Sequence, residues 1–485
     1  MQIFFILAIP LLLGLGAVIL KDNRKFGIVN SFGYLAVLVA CAMLLKRTIS
    51  SGCAHTYFGF IYLDALSAFF IFVTSVVAFA SALYSVGYIN TGVEDAAISK
   101  RKAGIYYLLF NLFCFSMFLV PALNNLGMLW VAIEMTTLIS AFLVGFYNTK
   151  KSVEAAWKYI IICSVGIIFA LLGTILFSYA LSMSGAPKSL NWSDMVIASG
   201  RMDKNILKIA FIFILAGYGT KAGLAPMHTW LPDAHSQAVG PISALLSGVL
   251  LKTSIYAILR FGVIVINGVG FQYFSNLMIL LGSISLIISC GFILVQKDLK
   301  RLLAYSSIEH VGIISIGFGL GTPLAVAGAL FHIFNHAAAK SLLFFGAGNI
   351  VGAYKKHNMN DIQGVIGVLP FTGIITLAGV FALTGFPPFS IFVSEIMIMI
   401  SAFLKGSYPV AGLLLMALAI IFAGFIYHFG KMLFGHPPKD MARQEEPMSG
   451  KIALLFLFVL ICAAGILLPF INKDLIWIAQ GLFQR

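Results

Sequence analysis

Residues 301–351 read RLLAYSSIEHVGIISIGFGLGTPLAVAGALFHIFNHAAAKSLLFFGAGNIV. Two apolar runs, 301–320 and 323–351, are separated only by Gly321 and Thr322. A helix needs about 20 mostly apolar residues to cross a bilayer, so the stretch predicts two consecutive membrane-spanning helices. Their contents are unusual. Glu309 and His310 lie about two turns into the first run, and His332, His336 and Lys340 lie along the second. The last three are spaced by four and therefore share one helix face. An ionisable group at mid-membrane costs at least about 2.5–3.5 kcal/mol on insertion scales, which makes it a functional candidate.

The same reading extends in both directions. Further apolar runs lie near 2–20, 26–45, 60–86, 105–122, 124–147, 157–183, 206–225, 240–265 and 275–296. Three more follow near 368–404, 409–434 and 451–471. The expectation is an all-α, polytopic integral membrane protein of about fourteen spans. Composition agrees: the 485 residues are 60% hydrophobic and only 10% charged, where soluble domains run roughly 45–50% apolar and about 25% charged. The longest connection, roughly 184–205, is too short for a soluble domain. The first run has no basic stretch before it and Lys21, Arg24 and Lys25 after it. It therefore reads as a retained transmembrane helix and not as a signal peptide.

Net charge is +14, but the basic residues are scattered through loops along the whole chain. They do not form the single basic face of a nucleic-acid binder. They report orientation instead. Eighteen fall in loops after odd-numbered spans, and ten, Arg260 among them, in the remaining loops and the C-terminal end. This predicts cytoplasmic odd loops and both termini on the outer face of an inner (cytoplasmic) membrane. Cys41, Cys53, Cys114, Cys163, Cys290 and Cys462 make no CxxC pair. Zinc ribbons, Cys-ligated iron–sulfur clusters and an internal disulfide framework are excluded. There is no dinucleotide-binding or P-loop motif either. No metal or cofactor is expected in this chain, and any redox chemistry that drives it belongs to other subunits.

Four further charges fall inside spans: Glu134 in the fifth, Lys221 in the seventh, Lys252 in the eighth and Glu395 in the twelfth. A lone buried histidine usually satisfies a helix–helix contact, and a buried Glu–Lys pair need not stabilise a fold. Nine such groups over six spans exceed what structure requires, and they suit a proton relay. Two spans are also interrupted. In the seventh, Gly217, Gly219 and Gly223 lead to Pro226 and then His228, Asp233 and His235; in the twelfth, Gly385, Pro387 and Pro388 precede Glu395. Such breaks at membrane depth line protein or water-filled cavities, and paired breaks mark inverted-repeat transporters. Spans 4–8 and 9–13 form two five-helix sets with the break in the fourth of each. The expected units are 1–103, 104–265, 266–434 and 435–485, with two half-channels opening to opposite faces.

The block 217–248, GYGTKAGLAPMHTWLPDAHSQAVGPISALLSG, closely resembles the signature of antiporter-like proton channel subunits. These occur in respiratory complex I, multi-subunit cation/proton antiporters and membrane-bound energy-converting hydrogenases. WVAIEMTTL at 130–138, KRLLAYSSIEHVG at 300–312 and FNHAAAKSLLFFGAG at 334–348 match as well. The stretches SSIEH, AFLVGFYNTKKSVEAAWKY and LSGVLLK, with an end soon after the fourteenth span, look most like hydrogenase-4 component F and related group 4 hydrogenase or formate hydrogenlyase subunits. The alternative branch is the fourteen-helix subunit of complex I. The resemblance implies that Glu134 and Lys221 form a modulating pair. It makes Lys252, or the His332–His336–Lys340 face with His310, the central relay, and Glu395 the group at the second broken helix. It also implies iron–sulfur clusters, nickel–iron or flavin only in partner subunits. The partners would be other membrane-arm subunits and a peripheral redox arm, and the cargo H⁺, with Na⁺ as the alternative in an antiporter. One departure is His235-Ser-Gln-Ala-Val, where many relatives carry Pro after the Ala; it bears on local loop geometry alone.

Overall fold

A computed structural model describes residues 2–19, 22–52, 54–438 and 441–483. Lys21, Cys53, Lys439 and Arg485 lie outside the described residues. The chain is a polytopic integral membrane protein and nearly all helix, as a bilayer demands, because lipid offers backbone groups no partners. The chain begins with α1 (Gln2–Ile19) and α2 (Asn23–Ser51), then a small hairpin of β1 (His55–Tyr57) and β2 (Ile61–Leu63). Next come α3 (Ala65–Glu94), α4 (Lys100–Leu119), α5 (Leu126–Val144), α6 (Lys150–Met183) and the short α7 (Trp192–Ala198). The first interrupted region holds α8 (Lys204–Ala222), α9 (Leu231–Gln237) and α10 (Gly240–Leu245), the last joined by a π-turn, Leu246–Leu250, to α11 (Leu251–Gly268). Then follow α12 (Phe271–Val295), α13 (Leu299–Leu320), α14 (Pro323–Tyr354) and the single turn α15 (Val365–Val368). The chain closes with α16 (Pro370–Leu383), α17 (Ser390–Leu404), α18 (Tyr408–Leu433) and α19 (Met448–Phe483).

Among the described residues, 11 helices are long and apolar enough to cross a membrane, and Gln2–Val18, Pro370–Leu383 and Ser390–Leu404 are shorter apolar helices. Local chemistry sets the boundaries. Asp64, Ser99, Asn125, Thr149, Asp203, Asp298 and Thr322 each cap a helix N-terminus through a side-chain oxygen, satisfying orphan amide groups.

The two breaks end their first halves alike. α8 stops at Gly223 (φ 79°) and α16 just before Gly385 (φ 67°), both left-handed. The amide after each glycine bonds five residues back, Leu224 N to Gly219 O and Phe386 N to Phe381 O, the Schellman closure that glycine permits. A cis X–Pro bond follows in each, Ala225–Pro226 and Pro387–Pro388.

The mostly apolar core also holds buried charges. Every residue of α13 except Arg301 is buried, and the 18-residue membrane window within α10–α11 is 94% buried. These helices, with α14, carry most of the intramembrane charges. α12 and α13 touch at Gly282 and Gly312, where a side chain on either glycine would press into the other's carbonyl oxygen. Small residues let transmembrane backbones approach closely.

Three sequence expectations need correction, and one connection proves to be structured. The run predicted from residue 60 begins as strand β2, because Gly59 takes a left-handed turn (φ 70°) and the hairpin pairs His55 with Leu63. The connection 184–205 contains α7, whose Trp192 is buried and donates its indole N–H to Arg260 O at 2.7 Å. Arg260 itself is no loop residue. It lies within α11, is 3% exposed, and forms a bidentate pair with Asp64 through Nη1 at 2.8 Å and Nη2 at 2.7 Å. Lys300, counted with the loops, is buried at the start of α13 and donates to Ala238 O at 3.0 Å. Both cations fulfil structural hydrogen bonds; removing one from each side leaves 17 against nine, so the excess in the odd loops is unchanged.

Candidate proton-relay site

Three clusters of buried polar groups follow one another through the helices. The first joins α5, α6 and α8. Lys221, with no exposed surface, donates to Thr137 Oγ1 at 2.8 Å and to Tyr159 OH at 2.7 Å. Thr137 in turn donates to Glu134 Oε2 at 3.1 Å, and Ser164 donates to Glu134 Oε1 at 2.7 Å. Glu134 and Lys221 are therefore linked through a hydroxyl and make no direct ion pair. Lys221 sits in the last turn of α8, where the helix dipole favours a cation. The Tyr159 ring lies 4.8 Å from its ammonium.

The second cluster joins α11 to α14. Lys252 Nζ lies 2.6 Å from His336 Nδ1 and also donates to Ser247 O. Ser247 stands in the π-turn, where the wider winding leaves carbonyls outside the usual i→i−4 ladder. Its hydroxyl lies 2.8 Å from that of Ser307 on α13. One turn further along α14, Lys340 donates to Leu303 O and Ser306 Oγ of α13.

The third cluster joins α13, α14 and α17. His310 Nδ1 is 2.9 Å from His332 Nε2, and His332 Nδ1 is 2.9 Å from Ser394 Oγ. Ser394 spends its single O–H on Ile391 O at 2.7 Å. His332 Nδ1 must then be the donor in the neutral ring, which makes its Nε2 an acceptor from His310 Nδ1–H. His310 Nε2 is left as a bare lone pair. With Lys252 protonated, its ammonium only donates, and His336 then accepts at Nδ1 and carries its proton on Nε2. Both Nε2 atoms are buried without a hydrogen-bond partner among the described residues, and the two rings are 4.5 Å apart. A donor and an acceptor of matching sense thus stand unpaired between the second and third clusters. Glu309 Oε2 and Glu395 Oε1 are also buried without a hydrogen-bond partner among the described residues.

The shared face of His332, His336 and Lys340 exists, but its members serve different neighbours: α13 and α17 for His332, α11 for His336, α13 for Lys340. His235 is not in a loop. It lies in α9, fully buried, with neither ring nitrogen hydrogen-bonded among the described residues, between Trp230 and Phe344 at ring separations of 5.9 Å each. Asp233 is on the same short helix but belongs to the surface, paired with Lys158 at 3.3 Å and Arg301 at 3.0 Å. Its side chain is 22% exposed. His228 is buried in the turn before α9, while Pro226, Pro387 and Pro388 are exposed at the two breaks. The neutral connectors Thr137, Tyr159, Ser247, Ser306 and Ser394 carry no charge that would single them out in the sequence. Thr137, three residues after Glu134, and Ser394, beside Glu395, were within reach of helical spacing, whereas the Ser247 carbonyl depends on a π-turn with no sequence signature.

The family described as NADH:quinone oxidoreductase/Mrp antiporter, TM, matches residues 123–422. The chain belongs to this family. The matched region contains every charge of the three clusters. Among curated proteins the family member is similar to a hydrogenase-4 component F homolog of Methylacidiphilum infernorum, 37% identical over 441 residues and 90% of each chain. Among solved structures it superimposes on a chain of the archaeal membrane-bound sulfane sulfur reductase with a TM-score of 0.88, at 24% identity over 99% of this chain and 98% of that one. It also superimposes on a chain of the Mrp complex from Dietzia sp. DQ12-45-1b with a TM-score of 0.87, at 19% identity over 99% and 97%. These likenesses at low identity establish the fold of an antiporter-like membrane subunit.

Proposed function

We propose that this family member is a proton-translocating membrane subunit of a multi-subunit energy-converting oxidoreductase of the group 4 hydrogenase or formate hydrogenlyase type. Its protons move through the buried Glu/Lys/His series, driven by redox chemistry in partner subunits. One observation carries the reading. Lys252–His336 and His310–His332 are hydrogen-bonded pairs spanning α11, α14 and α13, and the tautomers they require leave His336 Nε2–H and His310 Nε2 complementary. A proton passed from Lys252 to His336 Nδ1 releases the one on Nε2, which His310 Nε2 takes up. His310 then yields its Nδ1 proton to His332, beside Glu395. A single water or a small ring rotation closes the gap, whereas a purely structural network would leave no such pair open.

Lys221 and Glu134 act upstream as the modulating pair, with Thr137 transmitting between them and Tyr159 as the second acceptor. His235 provides the step from this cluster toward Lys252 and Lys340. The five-helix sets are inverted repeats in this reading, supported by the matching Gly-x-x-Pro closures at Gly223 and Gly385. The units 1–103, 104–265, 266–434 and 435–485 serve as N-terminal segment, two repeats and C-terminal segment. The partners are membrane-arm subunits carrying a peripheral redox arm, in an inner membrane with both termini outside. Iron–sulfur, nickel–iron or flavin groups belong to those partners.

A second reading, a Na⁺/H⁺ antiporter subunit without a redox partner, is favoured by the open carboxylate oxygens on Glu309 and Glu395, since hard oxygen donors suit Na⁺. Inverted membrane vesicles separate the two. Lys221→Ala and Lys252→Met are expected to abolish donor-driven acidification while the complex assembles and still turns over its donor. Unaltered acidification in either variant refutes the relay. Sodium-dependent proton release in cells lacking the redox subunits refutes the first reading in favour of the second.

A further inference from the structure

We propose that His310, His332 and Glu395 form a binding site for a divalent transition cation of the zinc type, and that a bound ion closes the relay. The first half stands on the geometry alone; the second rests on the function proposed above.

All three residues are buried, and one ligand atom from each lies within 4.8 Å of the others. The donor set, two imidazoles and a carboxylate, is that of open zinc sites with a fourth position for water. Zinc–nitrogen bonds of about 2.0–2.1 Å in a tetrahedron hold two nitrogens roughly 3.3–3.4 Å apart. His310 Nδ1 and His332 Nε2 are 2.9 Å apart, so the pair need open by only a few tenths of an ångström. The carboxylate must travel further, but Glu395 Oε1 has no hydrogen bond to hold it back.

The surroundings fit ligation too. A metal-bound histidine normally gives its other N–H to a fixed acceptor, and His332 Nδ1–H is already given to Ser394, itself anchored on Ile391 O. His310 differs: when Nδ1 turns to the metal, its proton shifts to Nε2, where it meets the Nε2–H of His336 and the open acceptor of the relay is lost. The ion thus replaces the proton shared between the two rings. With His310 Nδ1 and His332 Nε2 both ligated, neither can pass a proton, and the route from His336 toward Glu395 ends at the metal.

The test uses the purified membrane complex containing this chain, equilibrated with zinc alone. Metal is counted by mass spectrometry, and the coordination shell is read by X-ray absorption. Expected are one zinc per wild-type chain above that in the His310→Gln/Glu395→Gln double variant, and a shell of nitrogen and oxygen. Ser394→Ala should weaken binding on the order of 10–100-fold, as loss of such supporting partners does. Retention of the partner subunits in each variant reports assembly, and absorption on wild type needs no variant. Equal zinc in wild type and double variant, or a sulfur-containing shell, overturns the site. In vesicles, zinc should arrest proton transfer in wild type, and Ser394→Ala should need correspondingly more zinc relative to its own zinc-free rate. Zinc seated at this site with transfer undiminished overturns the closing of the relay and leaves the metal site standing.

Discussion

Thr137→Val isolates the link between the two charges of the first cluster. Valine keeps the branched shape of threonine and removes only the hydroxyl that accepts from Lys221 at 2.8 Å and donates to Glu134 at 3.1 Å. Lys221 keeps Tyr159, and Glu134 keeps Ser164, so neither charge is abandoned and the site should still assemble. A hydrogen bond to a charged group contributes about 1.5–3 kcal/mol. At 1.4 kcal/mol per factor of ten, that corresponds to a decrease in proton transfer of about 10- to 150-fold if the Lys221–Glu134 coupling controls the rate. The assay is donor-driven acidification of inverted vesicles, read by a pH-sensitive dye and normalised to the rate of donor oxidation with an uncoupler present. Thr137→Ser, which restores the hydroxyl, should pump close to wild type. The reasoning is refuted if Thr137→Val and Thr137→Ser pump equally well per electron.

Gly385→Ala should cost both stability and transport. Its φ of 67° suits glycine, and an added Cβ would overlap Glu395 Oε2. Gly406→Ala carries the same backbone penalty (φ 73°) with open space around it, so its transport should match wild type when both variants are compared in the same vesicles. Asp64→Asn or Arg260→Met breaks a buried ion pair and should destabilise the protein by about 3–5 kcal/mol, seen as a lowered melting temperature in detergent. Asp233→Asn breaks pairs that are partly exposed and worth about 0–1 kcal/mol; its melting temperature should move little, and less still in high salt.

The sequence by itself determined the fold class and the inventory of charges. Length and apolarity of the runs are local properties, and a bilayer accepts few backbone solutions, so helices and their order follow from composition alone. The charges inside runs were equally legible, because each violates the medium that its neighbours define. The breaks at Pro226 and Pro388 were readable for the same reason. What the sequence could not decide is which charge meets which. Arg260 and Asp64 are far apart in the chain, and only packing brings them together as a buried pair. Asp233 and His235 sit two residues apart on one short helix, yet one faces Lys158 and Arg301 at the surface and the other lies sealed beside Trp230. Helix spacing placed His332, His336 and Lys340 on one face but could not assign their partners, which come from α13, α11 and α17. The hydroxyl of Thr137, the carbonyl freed at Ser247 and the tautomers imposed by Ser394 arise only when helices are brought within hydrogen-bond distance. Periodicity says where a side chain leaves its own helix; the tertiary fold decides what stands opposite, and in a proton relay the opposite atom is the chemistry.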